Sequence, residues 1–249
     1  VSRKKYECNG KNYIIVNNTN RESCDEYGIY RSMILNGNHE VLSYAPPKGL
    51  NNEGFYQKHG DEFASGKFQI NQIIEGTMVN LFHNGDYWEI STKGAIGGNY
   101  WYYRNSYDEE DNKQMTFREM FVESLGYSRD TAFEDIELIS SLPKDHIYSF
   151  VVQHPDNHIV LDILHPALYL VSVFRKETEC IVEWIPLSAI ECWKVFKNSK
   201  ILFPANYNVE VGELLTYESL CDVVNRNLSP GMMVTNVDSG DRLAIRNNE

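Results

Sequence analysis

Few residues in this chain have types and spacing suited to chemistry. Ile73-Ile74-Glu75-Gly76-Thr77-Met78 leads into an apolar run, and Trp88 to Gly94 ends on Thr92-Lys93-Gly94. A carboxylate and an ammonium therefore come from neighbouring segments. Taken singly, Glu75-Gly76 reads equally as a strand bulge and Lys93-Gly94 as an ordinary turn. His154 and His158 are four apart, which on a helix would place two metal ligands on one face. Pro155-Asp156-Asn157 between them makes a turn instead. His39, His59, His83, His146 and His165 are isolated and read as surface or loop residues. No Gly-x-Ser-x-Gly elbow is present, and no catalytic residue or metal site is assigned. Gly97-Gly98-Asn99-Tyr100-Trp101-Tyr102-Tyr103-Arg104 is the densest aromatic stretch. Tyr100, Trp101, Tyr102 and Arg104 would serve as a platform for stacked bases, or as a strand whose rings alternate between core and a partner protein.

The elements that must position these groups are mostly strands. Tyr30 to Leu35 and Glu40 to Tyr44 flank Asn36-Gly37, a hairpin signal, and Pro46-Pro47 ends the pairing. A polar loop through Asn51-Asn52 follows. The run Phe68 to Phe82 and the run Tyr87 to Thr92 flank Asn84-Gly85, so the Glu75-Gly76 element is expected on adjacent antiparallel strands. Thr116 with Glu119 forms a capping box for a helix bearing Phe117, Met120, Phe121 and Leu125, with Gly126 placed to stop it. A second helix is expected from Thr131 to Leu142. Strands follow at Ile147 to Gln153, His158 to Ile163, Leu168 to Phe174 and Cys180 to Ile185. A helix at Thr216 to Asn227 and a hairpin from Met232 to Arg246 across Asp238-Ser239-Gly240-Asp241 complete the chain. The pattern is α+β, with mixed, mostly antiparallel sheets and flanking helices, and it has no phosphate-binding glycine loop.

Composition sets the bounds. With 249 residues, 42% of them hydrophobic, the chain has material for one large domain, read here as 1–249 with residues 1–28 an N-terminal extension or edge strand. Ala167 to Phe174 is too short to cross a bilayer, and no basic-then-apolar leader opens the sequence, so no membrane role and no secretion are expected. Five scattered cysteines suggest reduced thiols in a cytoplasmic or nuclear setting. A net charge of -12 argues against a surface that grips nucleic acid all over, while leaving room for a local basic groove.

In order and spacing these segments resemble the adenylyltransferase domain of the bacteriophage RNA ligase 1 family, from about Tyr30 to Asn247. These are covalent nucleotidyltransferases with an ATP-grasp-like core. The family's hairpin and Pro-Lys segment match Val41 to Lys48. Its Lys-x-Asp/Glu-Gly-Ser/Thr motif matches Ile73 to Thr77, and its Arg/Lys-Gly element matches Thr92-Lys93-Gly94. Its Phe-Glu-x-x-x-Pro-x-Asn-Arg-Ile-Val strand matches Phe150-Val151-Val152-Gln153-His154-Pro155-Asp156-Asn157-His158-Ile159-Val160. Its Glu-Gly element and apolar-Lys-x-Lys strand are placed at Pro230-Gly231 and at Leu243-Ala244-Ile245-Arg246.

The departures from the family fall on its chemistry. The resemblance implies that the nucleophilic lysine is replaced by Ile73, the ribose-binding glutamate by Val151, the metal-associated glutamate by Pro230 and a phosphate-binding lysine by Ala244. Glu75, Lys93 and Arg246 keep charge, and Gly76 and Phe150 keep their types. An isoleucine has no lone pair with which to attack a phosphate, and losing cations and carboxylates together removes the electrostatic part of such catalysis. The expectation is a degenerate nucleotide pocket in a binding or structural component, with no cofactor. RNA and other viral or assembly proteins would be its partners, because relatives abound in phage and large DNA viruses, and the protein would be virion-associated. Two alternatives stand beside it: an active ATP- and magnesium-dependent RNA ligase using Lys93 or Lys67, and a nucleic-acid-binding module.

Overall fold

The computed structural model describes residues 2–17, 31–60, 67–100, 115–157, 162–207, 216–226 and 230–246. In chain order the first strands are β1 (Ser2–Cys8), β2 (Lys11–Asn17), β3 (Met33–Leu35), β4 (Val41–Tyr44), β5 (Phe68–Gln72), β6 (Thr77–His83) and β7 (Trp88–Ser91). They are followed by β8 (His146–Gln153), β9 (Ala167–Lys176), β10 (Val182–Ile185), β11 (Ile201–Leu202), β12 (Gly231–Asn236) and β13 (Arg242–Arg246). The helices are α1 (Asn52–His59), α2 (Phe117–Ser124), α3 (Glu137–Ser140), α4 (Leu187–Ile190), α5 (Lys194–Lys197) and α6 (Tyr217–Arg226). Two compact units result. One comprises Val1–Thr19, Ser32–Pro46 and Glu75–Phe203, and the other Asn20–Arg31, Pro47–Ile74 and Pro204–Glu249. No helix among the described residues is long and apolar enough to cross a membrane.

The first unit holds a four-stranded antiparallel sheet in the order β1-β2-β3-β4. It also holds a six-stranded sheet ordered β10-β9-β8-β6-β7, with β11 parallel to β9. Strand β8 is buried at every position but its last, as befits a central strand covered on both faces. One face packs Val79, Leu81, Phe150 and Val152 with Phe117, Met120 and Phe121 of α2. The other packs Phe82, Ile147 and Phe174 with Tyr13, Ile15, Ile34 and Leu42 of the smaller sheet.

Helix α2 begins where its capping box predicts. Thr116 Oγ1 accepts from the Glu119 amide at 3.2 Å, and the Thr116 amide donates to Glu119 Oε2 at 2.7 Å. Thr116→Ala is therefore expected to cost about 1 kcal/mol, read as a shift in the urea midpoint. An unmoved midpoint would mean that packing of Phe117 and Phe121 alone fixes the helix start.

The second unit is built on the sheet β13-β12-β5. Phe55 of α1 and Leu220 and Val224 of α6 join Ile70, Met232, Val234, Leu243 and Ile245 in its core. His59, at the end of α1, is buried and sits 2.8 Å from Asp241, which Lys58 also approaches at 2.7 Å. Burial alone would raise the Asp241 carboxyl, but the hydrogen bonds from Lys58 and His59 outweigh it and hold the group below the usual carboxylate range. The cluster ties α1 to the β12–β13 turn.

Several sequence expectations are corrected. The run Phe68 to Phe82 is not one strand: β5 and β6 belong to different sheets, and the chain passes between them at Ile73 to Gly76. Thr131 to Leu142 is a 3-10 turn (Phe133–Asp135) followed by the short α3, because Ile136 between them is extended, with φ -89° and ψ 103°. Asn51 caps a helix, accepting from the Gly54 amide at 2.8 Å, where a polar loop was expected. His59, His83 and His146 are buried, not surface residues. Of the expected strand at His158 to Ile163, residues 158–161 lie outside the described residues, and no strand forms at Asp162 and Ile163.

Candidate functional site

In the first unit, the motif region is built around the entry to β6. Gly76 has φ 149°, a conformation close to exclusive to glycine. A Cβ there would lie 2.6 Å from the Val152 carbonyl oxygen and 2.7 Å from Val151 Cγ1. Gln153 Nε2 donates to the Glu75 carbonyl at 2.8 Å, and Asn157 Nδ2 donates to Thr77 Oγ1 at 2.7 Å. The Pro155-Asp156-Asn157 turn is thus fastened to Glu75-Gly76-Thr77 from far along the sequence. His154 in the same turn is buried, accepts from the Asp156 amide on Nδ1, and is pushed down by burial toward the neutral imidazole.

Strand alternation then decides what each β8 residue can do. Phe150 points into the core, its ring 5.4 Å from that of Phe121. Val151 points to the other face, where its methyl borders Gly76. On that same face a row of buried polar side chains crosses four strands: Ser91, Asn80, Ser149 and Ser172. Ser149 Oγ donates to Asn80 Oδ1 at 2.8 Å, while Ser91 Oγ and Ser172 Oγ have no partner among the described residues. The sequence reading missed this row, since single serines and asparagines in apolar strands carry no periodic signal.

Lys93 is exposed on a bend, and its carbonyl accepts from Ser32 Oγ at 3.0 Å. The ring of Tyr100 packs edge-on to Phe117 at 5.3 Å, and its hydroxyl pairs with Thr92, so this tyrosine is partly core. Trp101, Tyr102 and Arg104 lie outside the described residues.

In the second unit, Ile73 follows β5 directly, is 7% exposed, and donates from its amide to the Gly231 carbonyl at 2.9 Å. Gly231 has φ 150°, and a Cβ there would fall 2.4 Å from the Ile245 carbonyl and 3.0 Å from Ile73 Cδ1. Pro230 precedes it, half-buried. Leu243 and Ile245 of β13 enter the core, while Ala244 and Arg246 are exposed between and beyond them. Ile73, Pro230-Gly231 and the end of β13 are therefore neighbours in one sheet.

The donor set does not fit a divalent cation. Val151 and Pro230 offer no side-chain oxygen, and among the described residues no group of three or more His, Cys, Asp or Glu side chains could hold a metal. Nor does a displaced nucleophile stand close to the motif along β5. Lys67 is ion-paired to Asp238 at 2.9 Å, at the opposite end of β5 from Ile73, about 20 Å away by strand rise.

Comparison with solved structures fits this architecture. A protein assigned as an ATP-dependent DNA ligase, from Aquifex aeolicus, matches with a TM-score of 0.61 at 11% identity, covering 98% of this chain and 59% of its own. A Naegleria gruberi RNA ligase mutant with ATP and Mn matches at 0.56 and 9% identity, over 82% of this chain and 56% of its own. Another mutant of that ligase, with AMP and Mn, gives 0.57 at 9% identity with the same coverage of 82% and 56%. The chain spans less than two thirds of each. At such identity the likeness establishes the fold, which is the mixed α+β nucleotidyltransferase domain of ligases, as the sequence resemblance implied. No protein-family profile and no curated protein matches the sequence.

Proposed function

We propose that this chain is an RNA-ligase-like nucleotidyltransferase domain that has lost lysyl-adenylate chemistry and works as a binding or structural component. One observation supports the reading: two glycines with an unusual backbone conformation stand beside positions whose side chains lack the chemistry that the resembling family uses. Gly76 and Gly231 hold the same unusual conformation, φ 149° and 150°, each pressed against a carbonyl of the neighbouring strand. Beside them stand Ile73, Val151, Pro230 and Ala244, where the resembling family places a nucleophile, carboxylates and a phosphate-binding cation. Without these, nothing at the four positions can attack an α-phosphate, hold a metal or neutralise developing charge. RNA and, in a viral setting, assembly proteins are the partners we propose, with the domain acting in the cytoplasm, nucleus or particle.

A joining assay tests this. The chain is incubated with ATP, magnesium and a 5′-phosphorylated RNA bearing a free 3′-hydroxyl, and the RNA is resolved on a denaturing gel. The expected result is unchanged RNA. Circles or multimers would establish an active ligase, with Lys93 or Lys67 the first residues to map for AMP.

A further inference from the structure

We infer that a cleft in the first unit, at the C-terminal end of α2, binds single-stranded nucleic acid. The cavity measures about 770 Å³ and is lined by Tyr127, Leu138, Lys194, Val195 and Lys200 among others. That size suits a nucleotide unit with its phosphates and is more than a lone phosphate would fill.

Charge distribution identifies the occupant. In a chain of net charge -12, residues 192–209 contain no Asp or Glu but hold Lys194, Lys197 and Lys200. All three are exposed, and among the described residues none makes an ion pair. Some other surface cations are matched: Lys11 with Asp86, Lys67 with Asp238, Arg129 with Glu123, and Arg175 with Glu177 and Glu183. Arg3, Lys4, Lys5, Lys93 and Lys144 also lack an ion pair among the described residues but do not line this cleft. Three unmatched ammonium groups on one short segment give the local basic surface that phosphate binding requires. Glu137 is the one carboxylate in the lining.

The lining also offers a stacking surface. Tyr127 is 38% exposed, an unusual setting for a large ring among the described residues. Lys200 runs across the neighbouring Gly126, which places its ammonium beside that ring's residue. An aromatic side chain and lysines lining one cleft are the combination that single strands use, the base stacking and the phosphates meeting cations. Lys197 lies on the same segment outside the cavity lining, so the cationic row continues past what a free mononucleotide would reach. Cleft and row use none of the family-motif positions, so the inference stands or falls separately from the loss of adenylylation.

The test is fluorescence anisotropy of labelled single-stranded RNA and DNA oligonucleotides with the full chain, between about 50 and about 200 mM salt. Binding should weaken steeply with salt. Lys194→Glu/Lys200→Glu should lower affinity about tenfold or more and flatten the salt dependence. Tyr127→Ala should lower it about tenfold with the salt slope kept, and Lys5→Glu on β1 should change little. Neutral Lys194→Gln/Lys200→Gln guards against misfolding by charge reversal and should fall between. The RNA and DNA arms show which sugar is preferred. Absent binding at low salt, or binding indifferent to both lysine variants, overturns the proposal. Competition by AMP as effective as by the strand also overturns it, in favour of a mononucleotide site.

Discussion

Gly231→Ala is expected to lower stability by about 3 kcal/mol or more, and Gly76→Ala by a similar amount. Two costs add at each site. The backbone sits at φ 150° or 149°, where an L-residue is strained by about 1–3 kcal/mol. The new methyl also meets fixed backbone, 2.4 Å from the Ile245 carbonyl at Gly231 and 2.6 Å from the Val152 carbonyl at Gly76. Neither oxygen can retreat without breaking strand pairing. Gly94→Ala is the control, since nothing lies within 4 Å of a Cβ there. Urea denaturation of the three variants reads the difference, and a wild-type midpoint for Gly231→Ala would show that the first position of β12 tolerates a side chain.

Glu89→Ala is expected to cost about 3–5 kcal/mol, the usual consequence of removing one partner of a buried ion pair. Glu89 is 1% exposed. Its Oε1 accepts from Arg118 Nη1 and from the Ile90 amide, both at 2.9 Å, and its Oε2 accepts from Asn9 Nδ2 at 2.9 Å. The Arg118 guanidinium is meanwhile held over the Phe133 ring at 3.8 Å, so truncation leaves a positioned cation without its anion. Glu89→Ala/Arg118→Ala should recover part of the loss in a double-mutant cycle. Simple additivity of the two single changes would mean that the pair contributes nothing beyond its parts.

Features set by neighbouring residues were legible in the sequence. The capping box at Thr116 and Glu119, the turn at Asn84-Gly85 and the hairpin at Asp238 to Asp241 each depend on a few adjacent residues, and each forms. The turn signal Asn9-Gly10 is equally local, and β1 and β2 meet across it. Features set by distant partners were not legible. Strand-forming residues stand on both sides of Glu75-Gly76, a dipeptide that reads equally as a bulge within one strand, so nothing local marks the change of sheet that Gly76 makes against Val152. His59 is buried because Asp241 reaches it from 182 residues away. Of the candidate site, Gly76 and the Pro155-Asp156-Asn157 turn were readable because each is marked by adjacent residues. The Ser91, Asn80, Ser149 and Ser172 row was not, because register across four strands exists only in the folded sheet.

The central claim is that the fold has been kept while its covalent chemistry has been dismantled at several positions together. Incubating wild type and Ile73→Lys with α-labelled ATP, and separately GTP, plus magnesium or manganese, followed by denaturing electrophoresis, tests it most directly. The expected result is no labelled band in either, because Val151, Pro230 and Ala244 still stand in the variant where the resembling family places two carboxylates and a phosphate-binding lysine. A labelled wild-type band would contradict the claim outright, and a band in Ile73→Lys alone would confine the loss to one side chain.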